Sequence, residues 1–183
     1  MSSRYRLDRS SAALLVIDVQ ERLAAAMAAA AFERVLNRTV AAIQGAKALG
    51  IPIVATEQYP RGLGPTVPQV KAALPALRPI EKVNFSCALD EVLTALGGRT
   101  QILIAGMETH VCVFQTVRDL AERNLTPYVC VDAVLSRAEE DRRVGLELCR
   151  EVGAVQTTVE AGLFDMLGKA GSPEFKEVSA AVK

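Results

Sequence analysis

Three side chains of different chemistry each follow an apolar run of this chain: Asp18, Lys82 and Cys112. A carboxylate can remove a proton, an ammonium can steady negative charge, and a thiol can attack an electrophilic carbon. Cys112 lies in residues 102–116, where an apolar stretch reaches Gly106, turns through polar residues and opens a new helix. A thiol at a helix start faces unpaired N–H groups and the positive end of the macrodipole, and both favour thiolate. Asp18 closes Leu14-Leu15-Val16-Ile17-Asp18 and would stand partly desolvated at a sheet edge, as suits a general base. Lys82 closes a third run and could hold a thiolate or a carboxylate by charge.

Each of these residues also has a plainer reading. Asp18 could cap the following helix, since Asp is a preferred N-cap. Lys82 could be a snorkelling surface lysine, and Cys112 an inert core thiol. Glu81 points to the opposite face from Lys82 by strand alternation. His110 is the one histidine in the chain, and residues two apart on a helix do not face each other, so a Cys–His dyad is disfavoured and a turn position is expected. One histidine and no carboxylate cluster of calcium-loop spacing give no metal site. Gly62-Leu63-Gly64 and Gly168-Lys169-Ala170-Gly171-Ser172 complete no phosphate-loop pattern.

The elements that must position these groups alternate. Apolar runs at residues 12–17, 51–55, 80–83, 101–105, 128–131 and 154–157 read as strands, mostly continuous in hydrophobicity, as in a parallel sheet covered on both faces. Helical spacing recurs at Leu36, Val40 and Ile43 before Gly50, at Val113, Val117 and Leu120, and at Val144, Leu148 and Val152 before Gly153. The Ala-rich stretch 23–32 reads as helix. Ser136 with Glu139 and Thr157 with Glu160 have capping-box spacing. The Pro- and Gly-rich segment 59–68 is a loop beside the second strand. The pattern implies an α/β three-layer fold, with an N-terminal arm at 1–9 and a single domain at 10–183.

Composition excludes several classes. Lys plus Arg and Asp plus Glu each number 21, so the chain has no basic footprint for nucleic acid. No secretory leader and no apolar run long enough for a bilayer are visible, which implies no membrane partner and a cytoplasmic protein. The four cysteines, Cys87, Cys112, Cys130 and Cys149, form no C-x-x-C pair and should be free thiols.

In the order Asp18, Lys82, Cys112, the chain resembles the isochorismatase-like hydrolase (cysteine hydrolase) superfamily. The resemblance is carried by Leu15-Val16-Ile17-Asp18-Val19-Gln20, by strand-ending Lys82 and by Gly106-Met107-Glu108-Thr109-His110-Val111-Cys112-Val113. It covers about residues 10–168. The segment 56–66 and the tail 173–177 look similar to the isochorismatase domain-containing subgroup. The resemblance implies a Rossmann-like six-stranded parallel sheet of order 3-2-1-4-5-6 with helices on both sides. Strand 2 then lies between Lys82 and Asp18, with neighbouring strands about 4.8 Å apart, a gap a lysine can span.

The resemblance also implies an amidase-type hydrolase with a catalytic Asp18, Lys82 and Cys112. Cys112 would form a thioester on a small amide or related acyl substrate. An oxyanion hole would come from the Glu108 and Cys112 N–H groups, next to a cis peptide at Met107–Glu108. Gln20, Tyr59 and Phe85 are expected to line the substrate pocket, with a small-molecule substrate, no cofactor and a homo-oligomeric assembly. The nicotinamidase branch holds a metal with histidines near the second strand, and residues 56–66 contain none. Isochorismate-type vinyl-ether hydrolysis dispenses with the cysteine, so Cys112 favours acyl chemistry. A non-catalytic binding protein on the same scaffold and a thiol redox sensor are the alternatives. The latter needs a resolving partner that spacing does not reveal.

Overall fold

The computed structural model describes residues 4–74, 76 and 78–183. Six parallel strands form one sheet: β1 (Ala12–Ile17), β2 (Ile53–Gln58), β3 (Ile80–Lys82), β4 (Gln101–Met107), β5 (Thr126–Leu135) and β6 (Val155–Thr157). Their order across the sheet is β3-β2-β1-β4-β5-β6. The helices are α1 (Glu21–Ala25), α2 (Ala29–Leu49), α3 (Pro60–Leu63), α4 (Pro68–Ala73), α5 (Asp90–Ala95), α6 (Phe114–Glu122), α7 (Glu139–Glu151), α8 (Val159–Leu167) and α9 (Phe175–Ala181). A π-helical turn, Thr109–Val113, precedes α6.

Every residue of β1 is buried, because both sheet faces are covered. Ala12, Leu14 and Val16 join one apolar cluster with residues of α2, α4, α8 and α9. Ala13, Leu15 and Ile17 join a second cluster with residues of α5, α6 and α7. The period-two alternation of a strand therefore feeds two cores from one apolar run.

Several element boundaries differ from the sequence reading. β2 begins after Pro52 and continues through Thr56, Glu57 and Gln58, where an apolar criterion stops at Ala55. The Ala-rich stretch is two helices, broken so that Met27 turns into the core. Segment 59–68 is less irregular than expected, since it contains α3 and the start of α4. On α7 the buried positions are Gly145 and Cys149, while Val144 is exposed. Thr158, not Thr157, caps α8 by accepting from the Ala161 N–H, and Ser136 caps no helix. Gly50 ends α2 in the left-handed region at φ 64°, as the Gly stop implies.

Gly106 has a structural task beside Asp18. It sits opposite Ile17 in the β1–β4 register, and its φ is 128°. A Cβ there would collide with the Ile17 carbonyl oxygen, which belongs to backbone and cannot rotate away. Gly106→Ala should therefore destabilise the protein by about 3 kcal/mol, the upper end for overpacking, read as a lower denaturation midpoint in urea. A midpoint equal to that of the wild type would show that β1 and β4 can separate there without cost.

Candidate active site

The sheet order places the carboxyl ends of β1, β2 and β3 side by side. Register pairs Ile17 with Thr56 and Gln58 with Lys82, so Asp18 and Lys82 flank the end of β2. Asp18 takes a left-handed backbone, φ 50°, a conformation in which Asp is enriched among non-glycine residues. Gln20, with no side-chain cap bond, is the N-cap of α1, so the capping reading of Asp18 does not hold.

The Asp18 carboxylate is buried and held on both oxygens. Thr56 Oγ1 donates to Oδ1 at 2.7 Å, and Lys82 Nζ donates to Oδ2 at 2.7 Å. Neither Asp18 nor Lys82 exposes any side-chain surface, so the snorkelling reading of Lys82 fails as well. Lys82 Nζ also reaches Gln58 Oε1 at 2.8 Å and the carbonyls of Phe85 and Asn84 at 3.1 and 3.2 Å. Burial acts to lower the Lys82 pKa, the charges that Cys87, Asp18 and Cys112 carry when ionised act to raise it, and the net direction is up. The side chain is held as an ammonium.

Cys112 lies inside the π-helical turn and not at its first residue, and it is buried. The Met107–Glu108 peptide that leads into the turn is cis. Gly145 of α7 lets the turn pack closely, since a Cβ there would lie 2.8 Å from the His110 backbone. Burial pushes the Cys112 thiol well above its ordinary pKa. The Asp18 charge and a hydrogen bond to Asp18 add to the rise, and Lys82 opposes it. This direction is opposite to the thiolate-favouring shift expected of a helix start.

The remaining expected residues fall at different depths. Gln20 is fully buried and both its amide protons are used, on the carbonyls of Gln58 and Gly64, while its oxygen accepts from the Gln58 N–H. It braces the end of β2 against the following loop. Tyr59 and Phe85 are exposed. Tyr59 lines an open cavity of about 400 Å³ with Pro60, Arg61, Glu81, Lys82 and Val83. The Glu108 N–H makes no hydrogen bond to a described residue, and the Glu108 carboxylate accepts from the Arg137 N–H and Nε, both at 3.0 Å. His110 Nδ1 lies 3.0 Å from Ser136 Oγ. Among the described residues no group of three or more His, Cys, Asp or Glu side chains is arranged to hold a metal ion.

Sequence reasoning missed Thr56, Gln58, Cys87 and Thr116. Thr56 and Gln58 carry a readable signal, because they continue the strand alternation past Ala55 on the face of Val54 and Ile17. Cys87 and Thr116 carry none, since the fold alone brings them to the site.

A model of the isochorismatase domain matches residues 12–161. The chain belongs to the isochorismatase family. Isochorismatase domain-containing protein 2 of Bos taurus is 38% identical over 175 residues, covering 94% of this chain and 83% of that protein. The secreted isochorismatase effector Isc1 of Phytophthora sojae is 36% identical, covering 97% and 87%. Among solved structures, the MAR1 ribonuclease of Caenorhabditis elegans superposes with a TM-score of 0.91 at 38% identity, over 97% of this chain and 92% of that one. The fold is that of the isochorismatase-family hydrolases. Among the described residues no helix is long and apolar enough to cross a membrane.

Removing one member of a buried ion pair leaves the other charge without compensation. Lys82→Ala should cost about 3–5 kcal/mol of unfolding free energy in urea titration. The exposed neighbour change Glu81→Ala should stay within about 0.5 kcal/mol. Equal, small losses for the two would mean that water reaches Asp18.

Proposed function

We propose that this isochorismatase-family protein is a cysteine hydrolase that cleaves a small amide or related acyl substrate through a thioester on Cys112. The observation that carries the reading is the fully buried Lys82–Asp18 pair, beside the end of β4 from which the cis Met107–Glu108 peptide leads to the buried Cys112.

The site holds one carboxylate, one ammonium and one thiol, so its net charge is zero. Transfer of the thiol proton to Asp18 leaves a thiolate, an ammonium and a carboxylic acid, again with zero net charge. The buried cluster can thus generate a nucleophile without gaining charge, which a low-dielectric setting favours. The sulfur attacks the acyl carbon, and the carbonyl oxygen becomes an oxyanion. The Glu108 N–H, free of any partner among the described residues, and the Cys112 N–H are the proposed donors to it. The intermediate collapses, the C–N bond breaks, and the amine leaves with the proton held by Asp18. Water then gives a proton to Asp18 and attacks the thioester, releasing the acid and restoring the thiol.

RNA is the obvious counter-substrate, given the name of the C. elegans relative. A chain with equal numbers of basic and acidic residues gives that substrate no electrostatic footprint. RNA cleavage that survives Cys112→Ala would favour that reading over the one proposed here.

A screen of small amides should yield amine release together with an acyl mass increment on Cys112. Cys112→Ala should return release to background; undiminished turnover would remove the nucleophile assignment. Asp18→Asn separates two roles of the carboxylate. The Asp18 charge and hydrogen bond raise the thiol pKa, so their loss should lower it and move the midpoint of Cys112 alkylation by iodoacetamide to lower pH. Hydrolysis by the same variant should fall by about 10²–10⁴ for want of the base. An unmoved alkylation profile would remove Asp18 from contact with the thiol.

A further inference from the structure

Cys87 is a second thiol at the site, and the hydrolytic scheme leaves it without a part. Two hydroxyl groups tie it to the Cys112 centre. Thr116 Oγ1 accepts from the Cys87 N–H at 2.8 Å and donates to the Cys112 carbonyl at 2.6 Å, so one hydroxyl bridges the two cysteine backbones. Thr56 Oγ1 donates to Asp18 Oδ1 at 2.7 Å and lies 3.5 Å from Cys87 Sγ. One hydroxyl therefore stands between the Cys87 sulfur and the Asp18 carboxylate. Both cysteines belong to the same buried apolar cluster.

The chain around Cys87 is irregular between β3 and α5, with Val83 and Phe85 exposed. The segment belongs to no strand ladder or helix; it is held by Lys82 Nζ on the Asn84 and Phe85 carbonyls and by Thr116 on the Cys87 N–H, and a disulfide requires the two sulfurs to come within about 2.05 Å. Cys130 and Cys149 share neither hydroxyl bridge. Cys130 lies in the opposite apolar cluster, and Cys149 is on α7.

We propose that Cys87 is the resolving thiol of Cys112, so that hydrogen peroxide converts the pair to a Cys87–Cys112 disulfide. In the first step the Cys112 sulfur attacks one peroxide oxygen while Asp18 takes the thiol proton. The O–O bond breaks, the sulfur loses two electrons to become a sulfenic acid, and the departing hydroxide collects the proton from Asp18 as water. In the second step the Cys87 sulfur attacks the sulfenic sulfur. The S–O bond breaks, its hydroxyl leaves with the Cys87 proton as a second water, and the S–S bond forms. Burial holds Cys87 at a pKa of about 11, with the neighbouring Lys82 charge acting against that rise. The disulfide masks the nucleophile and spares it from the irreversible sulfinic state, and a dithiol returns it. The inference rests on the hydrolase reading only in that Asp18 takes the Cys112 proton.

Trypsin separates the four cysteines, with Cys87 in peptide 83–99, Cys112 in 100–118, Cys130 in 124–137 and Cys149 in 144–150. The intact protein is treated with hydrogen peroxide, blocked with N-ethylmaleimide, digested without reductant and mapped by mass. Peptides 83–99 and 100–118 should appear joined, two hydrogens lighter than their sum, and separate with dithiothreitol; the other two cysteine peptides should stay unlinked. In Cys87→Ala, peroxide should carry Cys112 to the sulfinic acid, and dithiothreitol should no longer restore its alkylation by iodoacetamide. Absence of the joined peptide in a wild-type protein whose Cys112 does alkylate overturns the inference and leaves the hydrolase reading standing. Failure of Cys112 both to alkylate and to oxidise overturns both.

Discussion

Taking an ammonium and a carboxylate out of water costs several kcal/mol for each ion, and their mutual attraction offsets this only when the remaining donors and acceptors are also matched. Lys82 and Asp18 meet that condition at 2.7 Å with no exposed side-chain surface. Thr56 satisfies the second Asp18 oxygen, while Gln58 and the Asn84 and Phe85 carbonyls share the other two Lys82 protons. The pair can form only if three strand ends arrive together in register. The sheet order, the left-handed turn at Asp18 and the bare backbone of Gly106 all serve that alignment.

Burial sets the direction in which the thiol pKa moves, with Asp18 adding to it and Lys82 opposing it. A helix start would pull the Cys112 pKa down, but the cysteine lies within a buried π-helical turn facing a carboxylate, and burial with Asp18 pushes it up. A thiolate at rest would add a negative charge beside Asp18, whereas a thiol keeps the cluster neutral. Activation by proton transfer within the cluster follows from that charge balance more naturally than activation by a standing thiolate.

Much of the fold was legible in sequence because its signals are local. Continuous apolar runs marked the six strands, and Gly50 marked the stop of α2. The order of Asp18, Lys82 and Cys112 along those runs carried the family resemblance. Less legible were features that depend on tertiary packing. Val144 repeats at helical spacing yet faces solvent, because α7 approaches the π-turn through Gly145, which has no side chain to mark the face. The polar end of β2 escaped an apolar criterion although Thr56 and Gln58 are buried. They are buried by partners on other strands, which no window of sequence contains. Cys87 is the extreme case, since its link to Cys112 passes through hydroxyls of Thr56 and Thr116 on two other elements.

The buried pair also bears on register. Glu81 and Lys82 alternate across β3, one exposed and one buried. Sliding β3 by one residue against β2 would carry Glu81 to the buried face opposite Gln58 and send Lys82 outward. Two carboxylates would then meet at Asp18, and the acceptors that now surround Lys82 Nζ would face a group with no proton to give. Apolar packing alone discriminates weakly here, because β3 is three residues long and contributes one partly buried isoleucine. The discrimination must come from charge. On a strand this short, the ion pair that sets the chemistry also sets the alignment, so the residues proposed to activate Cys112 are part of what holds the sheet edge in its register.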